Sequence, residues 1–165
     1  MPAMIDLHCD TLTRSRGRTA GRGPLDDPAF HLSLSKVPAG TRWIQCFAIF
    51  VPDQLRGREA IDFFDRHAAS FDEQMAQNRE RILPCRSFGG MEAALSEGKF
   101  GAVLTVEGGA VLAGQLERVE TIWNAGVRML TLTWNGPNEL ASGHDTPGGL
   151  TDFGREAVAE LERRG

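Results

Sequence analysis

The residues that most clearly suggest chemistry are a histidine and an aspartate one position apart, His8 and Asp10, directly after a short apolar segment. In an extended chain, side chains two positions apart point to the same side, so the imidazole and the carboxylate would converge. Such nitrogen and oxygen ligands suit zinc or another divalent cation. The alternative is a surface histidine beside a capping aspartate. Cys9, between the two, is predicted to point away and to pack.

A further carboxylate with chemical potential is Glu107, which follows a mostly apolar run and precedes Gly108 and Gly109. A carboxylate at the end of a buried strand is unfavourable without a partner, and a metal ion is a natural one. The glycines let the backbone turn away sharply because they carry no Cβ. A helix cap and a salt bridge are the alternatives. Together with His8 and Asp10, Glu107 gives the composition of a catalytic zinc site, in which three protein ligands and a water bind the ion.

The other candidate side chains are less specific. Trp134 ends an apolar run, where it would either wall a pocket or fill the core. His31, His67 and His144 lack companions at metal-ligand spacing. We interpret His67 as a packing or surface residue and His144 as a solvated loop residue.

The elements that must position these side chains alternate between strands and helices. Apolar runs bounded by turn residues predict strands over residues 4–8, 43–51, 82–85, 101–106 and 127–133. Apolar stripes and capping signals predict helices over residues 61–75, 88–97 and 116–123 and from about 152 onward. Residues 14–28 and 135–149 are predicted loops.

Some helix predictions concern individual residues. Ser87 is a predicted N-cap, and the last helix should begin near Thr151. The long helix has an apolar stripe made of Ile61, Phe64, Ala68, Phe71 and Met75. The last helix is expected to bury Phe153, Val158 and Leu161.

This alternation predicts an α/β fold with parallel strands and right-handed crossovers. A doubly wound sheet and a (β/α)8 barrel look alike at this resolution. Both folds place their sites at the carboxyl ends of strands, which is where His8, Asp10 and Glu107 fall.

Composition and charge narrow the classes of function. The 165 residues, 41% hydrophobic and 24% charged, are those of one soluble globular domain. A net charge of −4 argues against a nucleic-acid partner. No signal peptide or membrane span is predicted. The three cysteines form no CxxC pair, so we expect reduced thiols and a cytoplasmic protein.

Four stretches carry a resemblance to a known family: residues 6–11, 106–109, 126–135 and 149–154. They resemble, in order, signatures in the N-terminal half of the membrane dipeptidase (renal dipeptidase) family of zinc metallopeptidases. The resemblance implies a (β/α)8 TIM-type barrel with two zinc ions at its C-terminal mouth and a dipeptide substrate. By motif match, His8 and Asp10 would bind one zinc and Glu107 would bridge both as the catalytic residue. A water held there would attack the scissile carbonyl, and Trp134 would contact the substrate.

The chain departs from the family in two ways. A full barrel needs about 250 residues, and the family's two later histidine ligands and acid/base aspartate have no counterpart here. Trp134 stands where mammalian members carry a substrate-contacting histidine. We therefore expect residues 1–165 to be the N-terminal portion of a dipeptidase barrel. Alone, this portion should bind at most one zinc tightly and show little hydrolysis.

Two other interpretations stay open at this point. One is a non-catalytic half-barrel that folds with a partner chain or as a homo-oligomer. The other is a barrel metallohydrolase of the amidohydrolase type, which the Glu107-Gly108-Gly109 motif fits poorly.

Overall fold

A computed structural model describes residues 3–14 and 23–165 of the chain. All five predicted strands are present, with bounds that differ by up to two residues: β1 Met4–Asp6, β2 Trp43–Phe50, β3 Ile82–Pro84, β4 Phe100–Glu107 and β5 Val127–Thr131. Most of the predicted loop over residues 14–28 lies outside the described residues.

The strands form one five-stranded sheet with the order β1-β2-β4-β3, and β5 also pairs with β4. β1 runs parallel to β2, with Met4 opposite Trp43, and β3 runs parallel to β4, with Ile82 opposite Phe100. The predicted α/β fold of parallel strands and intervening helices is therefore confirmed.

The two long strands are apolar because both of their faces are covered. In β2 every residue from Ile44 to Ile49 is buried, and in β4 every residue from Phe100 to Val106 is buried. Strands of parallel sheets commonly have such continuous apolar runs. The polar exceptions are Gln45 and Thr105.

The helices are α1 Thr11–Arg14, α2 Gly57–Gln77, α3 Phe88–Ser96, α4 Arg118–Asn124 and α5 Asp152–Arg164. The predicted stripe on α2 is confirmed at Ile61, Phe64, Phe71 and Met75, all of which are buried. The predicted cap of α3 is also present, since the Ser87 hydroxyl accepts a hydrogen bond from the Gly90 N–H.

The burial predicted for α5 was wrong. Phe153, Val158 and Leu161 are only half-buried, whereas Gly154 and Ala157 are buried. A Cβ on Gly154 would lie 1.9 Å from the Leu140 carbonyl oxygen. The helix therefore makes its closest approach through its smallest residues, and the larger apolar side chains stay at the margin of the contact.

Contacts divide the chain into two compact units. The first comprises Met1–Ile49 and His67–Thr105, and the second comprises Phe50–Arg66 and Val106–Gly165. The boundaries fall inside β2 and β4, so both strands continue from one unit into the other.

Candidate metal centre

His8 and Asp10 lie on a short extended segment between β1 and α1. The Cys9 N–H donates to the Cys46 carbonyl at 3.0 Å, and the Cys9 carbonyl accepts from the Ala48 N–H at 2.9 Å. Strand-like pairing with β2 therefore continues beyond the end of β1, and the side chains on either side of Cys9 share one direction. His8 Nε2 and Asp10 Oδ1 are 3.3 Å apart.

Glu107 is the last residue of β4, and its side chain is half-buried. Its carbonyl accepts a hydrogen bond from the Val51 N–H at 2.9 Å, and the next residue, Gly108, donates to the Thr131 carbonyl at 3.1 Å. The end of β4 is thus hydrogen-bonded on one side to the residue that follows β2 and on the other side to the last residue of β5.

The two glycines after Glu107 are sterically required. Gly108 has a φ of 100°, a conformation that residues with a Cβ rarely adopt. A Cβ on Gly109 would lie 2.9 Å from the Leu132 carbonyl oxygen and 3.1 Å from the Leu140 side chain. The backbone of this turn can pass between its neighbours only because both side chains are absent.

The structure brings the three predicted ligands together. His8, Asp10 and Glu107 each offer one ligand atom, and these atoms all lie within 4.8 Å of one another. Asp10 Oδ1 is buried and, within the part of the chain that the structure describes, accepts no hydrogen bond; its ion-pair contact is His8 Nε2 at 3.3 Å. Because a buried carboxylate oxygen without a donor is unfavourable, this atom fits a site for a cation. The imidazole nitrogen and the carboxylate oxygens are ligand types that zinc binds in proteins.

Cys9 does not belong to the cluster of His8, Asp10 and Glu107. Burial raises the pKa of its thiol to about 11; hydrogen bonds to Thr11 oppose this shift, and the Asp6 and Asp10 carboxylates add to it. Burial also raises the pKa values of Cys46 and Cys85. All three cysteines are free thiols.

Trp134 follows β5 and is 44% exposed. Its ring meets the ring of Phe50 edge-on, with centroids 5.0 Å apart. This exposure argues against the core-filling interpretation, whereas contact with a substrate stays a prediction. His144 is exposed and touches the same segment through its backbone, since its N–H donates to the Trp134 carbonyl at 3.0 Å. His31 is exposed and His67 is half-buried; neither belongs to the ligand cluster.

Sequence reasoning missed Asp53, whose carboxylate accepts a hydrogen bond from the Gly136 N–H at 2.7 Å. The available signal was its place in the chain, three residues after β2, where a polar side chain reaches the carboxyl end of the sheet. Asn138 was missed as well. Its side chain donates to the Leu132 carbonyl at 2.7 Å and accepts from the Leu140 N–H at 2.9 Å, which fixes the start of the 135–149 loop.

Within residues 3–14 and 23–165, no helix combines the length and the apolar character needed to cross a bilayer.

The family model described as membrane dipeptidase (peptidase family M19) matches residues 2–165, and the chain belongs to this family. The resemblance predicted from the four sequence stretches is thereby confirmed. The fold and the family model therefore agree on the class of protein, peptidase family M19.

Individual proteins similar to the chain include a curated relative and two solved structures. The chain is 25% identical over 153 residues to an uncharacterized protein in the PQQ-III 3′ region of Acinetobacter calcoaceticus, covering 78% of this chain and 49% of that protein. It is similar to the solved dipeptidase AC, a metallopeptidase of family M19, with a TM-score of 0.88 and 25% identity, covering 98% of this chain and 54% of that one.

A metallopeptidase from Rhodobacter sphaeroides, solved with a phosphinate mimic of the dipeptide L-Ala-D-Ala, has the same fold. Its TM-score is 0.88 at 22% identity, covering 98% of this chain and 56% of that one. The chain therefore spans about half the length of the relatives it matches, and it corresponds to their N-terminal half.

Proposed function

We propose that His8, Asp10 and Glu107 bind a zinc ion that serves the hydrolysis of dipeptides, with little turnover by residues 1–165 alone. The observation that carries this proposal is the convergence of three ligand atoms within 4.8 Å, just beyond the end of β1 and at the end of β4. The substrate class in this proposal comes from the family. The Rhodobacter sphaeroides relative was solved with a phosphinate mimic of a dipeptide.

Each residue of the cluster has a distinct role in this proposal. The His8 imidazole supplies a neutral nitrogen, and the two carboxylates balance the charge of a divalent cation. The Asp6 carboxylate accepts from the His8 N–H at 3.0 Å, which holds the backbone of His8. When bound, zinc would lower the pKa of a water toward 7 and polarise a carbonyl for hydrolysis.

Glu107 and Trp134 extend the proposal from metal to substrate. Glu107 has a second carboxylate oxygen, which supports the bridging role that the family resemblance implies. His8, Asp10 and Glu107 would together hold one zinc ion. The half-exposed Trp134 ring offers a flat apolar surface for a dipeptide side chain.

The test is to measure zinc content and hydrolysis of Gly-D-Ala together on the purified chain. We expect about one zinc per chain and little turnover, because one ligand cluster is present among the described residues. His8→Ala and Glu107→Gln should each lose at least tenfold in zinc affinity, about 1.4 kcal/mol. His31→Ala, which changes an exposed histidine outside the cluster, is the matched control.

Two results would contradict parts of the proposal. Full zinc retention in both His8→Ala and Glu107→Gln would rule out this site. Two zinc ions per chain with rapid turnover would contradict the single-metal expectation and would indicate that associated chains complete the second site.

A second candidate, a half-barrel that functions only with a partner chain, rests on the exposure of β1. Met4, Ile5 and Leu7 are 47%, 57% and 61% exposed. Exposed apolar side chains at or next to an edge strand favour association with another chain.

A further inference from the structure

Two loop segments of the second unit are joined by two side-chain hydrogen bonds, which reach consecutive residues of one of the segments. One segment follows β2 and contains Asp53 and Arg56; the other follows β5 and contains Gly136 and Pro137. The Asp53 carboxylate accepts from the Gly136 N–H at 2.7 Å. The Arg56 guanidinium donates to the Pro137 carbonyl.

The carboxylate contact is built closely into the backbone. A Cβ on Gly136 would lie 3.1 Å from Asp53 Cγ, so the absence of a side chain allows the carboxylate to approach. Hydrogen bonds to a charged acceptor are shorter and stronger than those between neutral groups. Asp53 is half-buried, which limits the competition from water.

The same two segments hold the indole ring of Trp134. Phe50, three residues before Asp53, contacts this ring edge-on with centroids 5.0 Å apart. Trp134 lies two residues before Gly136, so a displacement of Gly136 would carry the ring away from Phe50. Asp53 thus supplies a charge-assisted bond two residues from Trp134, beside the backbone bond from the His144 N–H to the Trp134 carbonyl.

We propose that Asp53 is a positioning residue that fixes the ring of Trp134, the side chain proposed to contact the dipeptide. The step from ring position to dipeptide binding rests on the proposed function. The step from Asp53 to ring position does not, and the two steps can be measured separately.

The test compares Asp53→Ala and Asp53→Asn with the matched control Asp62→Ala. Asp62 is also an aspartate bonded through its carboxylate, to Arg58 Nε at 2.8 Å within α2. Asn at position 53 keeps one acceptor oxygen without the charge, so its effect should be smaller than that of Ala.

The first readout is the indole N–H signal in protein labelled with 15N-tryptophan. The chain has three tryptophans, and Trp134→Phe assigns the signal of Trp134. We expect Asp53→Ala to shift and broaden this signal, to leave those of Trp43 and Trp123 in place and to leave zinc content unchanged. Asp53→Asn should shift the same signal less, and Asp62→Ala should not shift it.

An unchanged Trp134 signal in Asp53→Ala would overturn the inference. So would equal shifts of all three signals, because these would mean a general loss of structure. If Asp53→Ala fails to fold, Asp53→Asn decides: a shift confined to Trp134 supports the inference, and no shift overturns it.

The second readout is the Kd for Gly-D-Ala, titrated on the Trp134 signal of zinc-loaded protein. We expect it to rise about tenfold in Asp53→Ala, the effect of losing one charge-assisted contact. No binding of the dipeptide by the unaltered protein would count against the proposed function, while the signal shift alone would still decide the role of Asp53.

Discussion

At the scale of single residues, the candidate centre depends on backbone bonds as much as on its ligands. His8 and Asp10 face one direction because Cys9, between them, bonds to Cys46 and Ala48 of β2. The spacing of the pair could be seen in the sequence, because side-chain alternation in an extended segment is a local property. Asp53 could not be found in this way, since its partner is a backbone N–H 83 positions later.

The turn after Glu107 gives a prediction about residue size. Gly109→Ala should destabilise the protein by about 1–3 kcal/mol, since its Cβ would press on the Leu132 carbonyl oxygen and the Leu140 side chain. Urea unfolding measures the difference.

Gly89→Ala is the control, because its Cβ would meet nothing closer than the Ser87 hydroxyl at 3.9 Å on helix α3. It should be neutral or stabilising by up to about 1 kcal/mol. Equal stability of Gly109→Ala and the unaltered protein would show that the turn can relax.

At the scale of elements, prediction succeeded where the deciding forces are local. Continuous apolar runs identified β2 and β4, and Ser87 and Thr151 were found at the caps of α3 and α5. The buried face of α5 was not predicted, because it depends on how closely Gly154 approaches Leu140. Contacts of that kind are set by tertiary packing, which hydrophobic periodicity does not describe.

Helix α5 also gives a pH prediction. Hydrogen bonds from Arg164 and then Arg163 hold the pKa of Glu160 below its ordinary value of 4.5. Because the pKa of Glu160 is lower in the folded state, its ionised carboxylate and the two arginines stabilise the fold above pH 4.5. This stabilisation is lost as the pH falls through the folded-state value.

We therefore expect Glu160→Gln to lower the thermal midpoint at pH 7 and to lower it less at pH 3, below the ordinary pKa of a glutamate. Glu156→Gln, at an exposed position of the same helix, is the control and should change neither value. Thermal unfolding followed by circular dichroism at both pH values checks this. A difference that persists unchanged at pH 3 would contradict the assignment.

At the scale of the whole molecule, the apolar residues at β1 are the feature that local reasoning leaves unexplained. β1 pairs with β2 on one side, yet all three of its residues are exposed. An edge strand with apolar side chains is prone to pair with other chains.

Association should therefore increase with protein concentration and decrease in Ile5→Asp. Phe88→Asp removes an even more exposed apolar side chain, 74% against 57%, from helix α3 and serves as the control. Sedimentation velocity over a range of concentrations measures the effect. Equal association of the Ile5→Asp and Phe88→Asp variants would exclude β1 as the contact.

The positions of the three ligands along the chain have a consequence for folding. His8 and Glu107 are separated by roughly a hundred residues, and closing a loop of that length costs an unfolded chain several kcal/mol of entropy. An ion held by both residues would act as a reversible cross-link, in the way that a disulfide does. The occupancy of the centre and the cooperativity of unfolding would then change together, so that zinc availability would govern the lifetime of the folded chain as well as its chemistry.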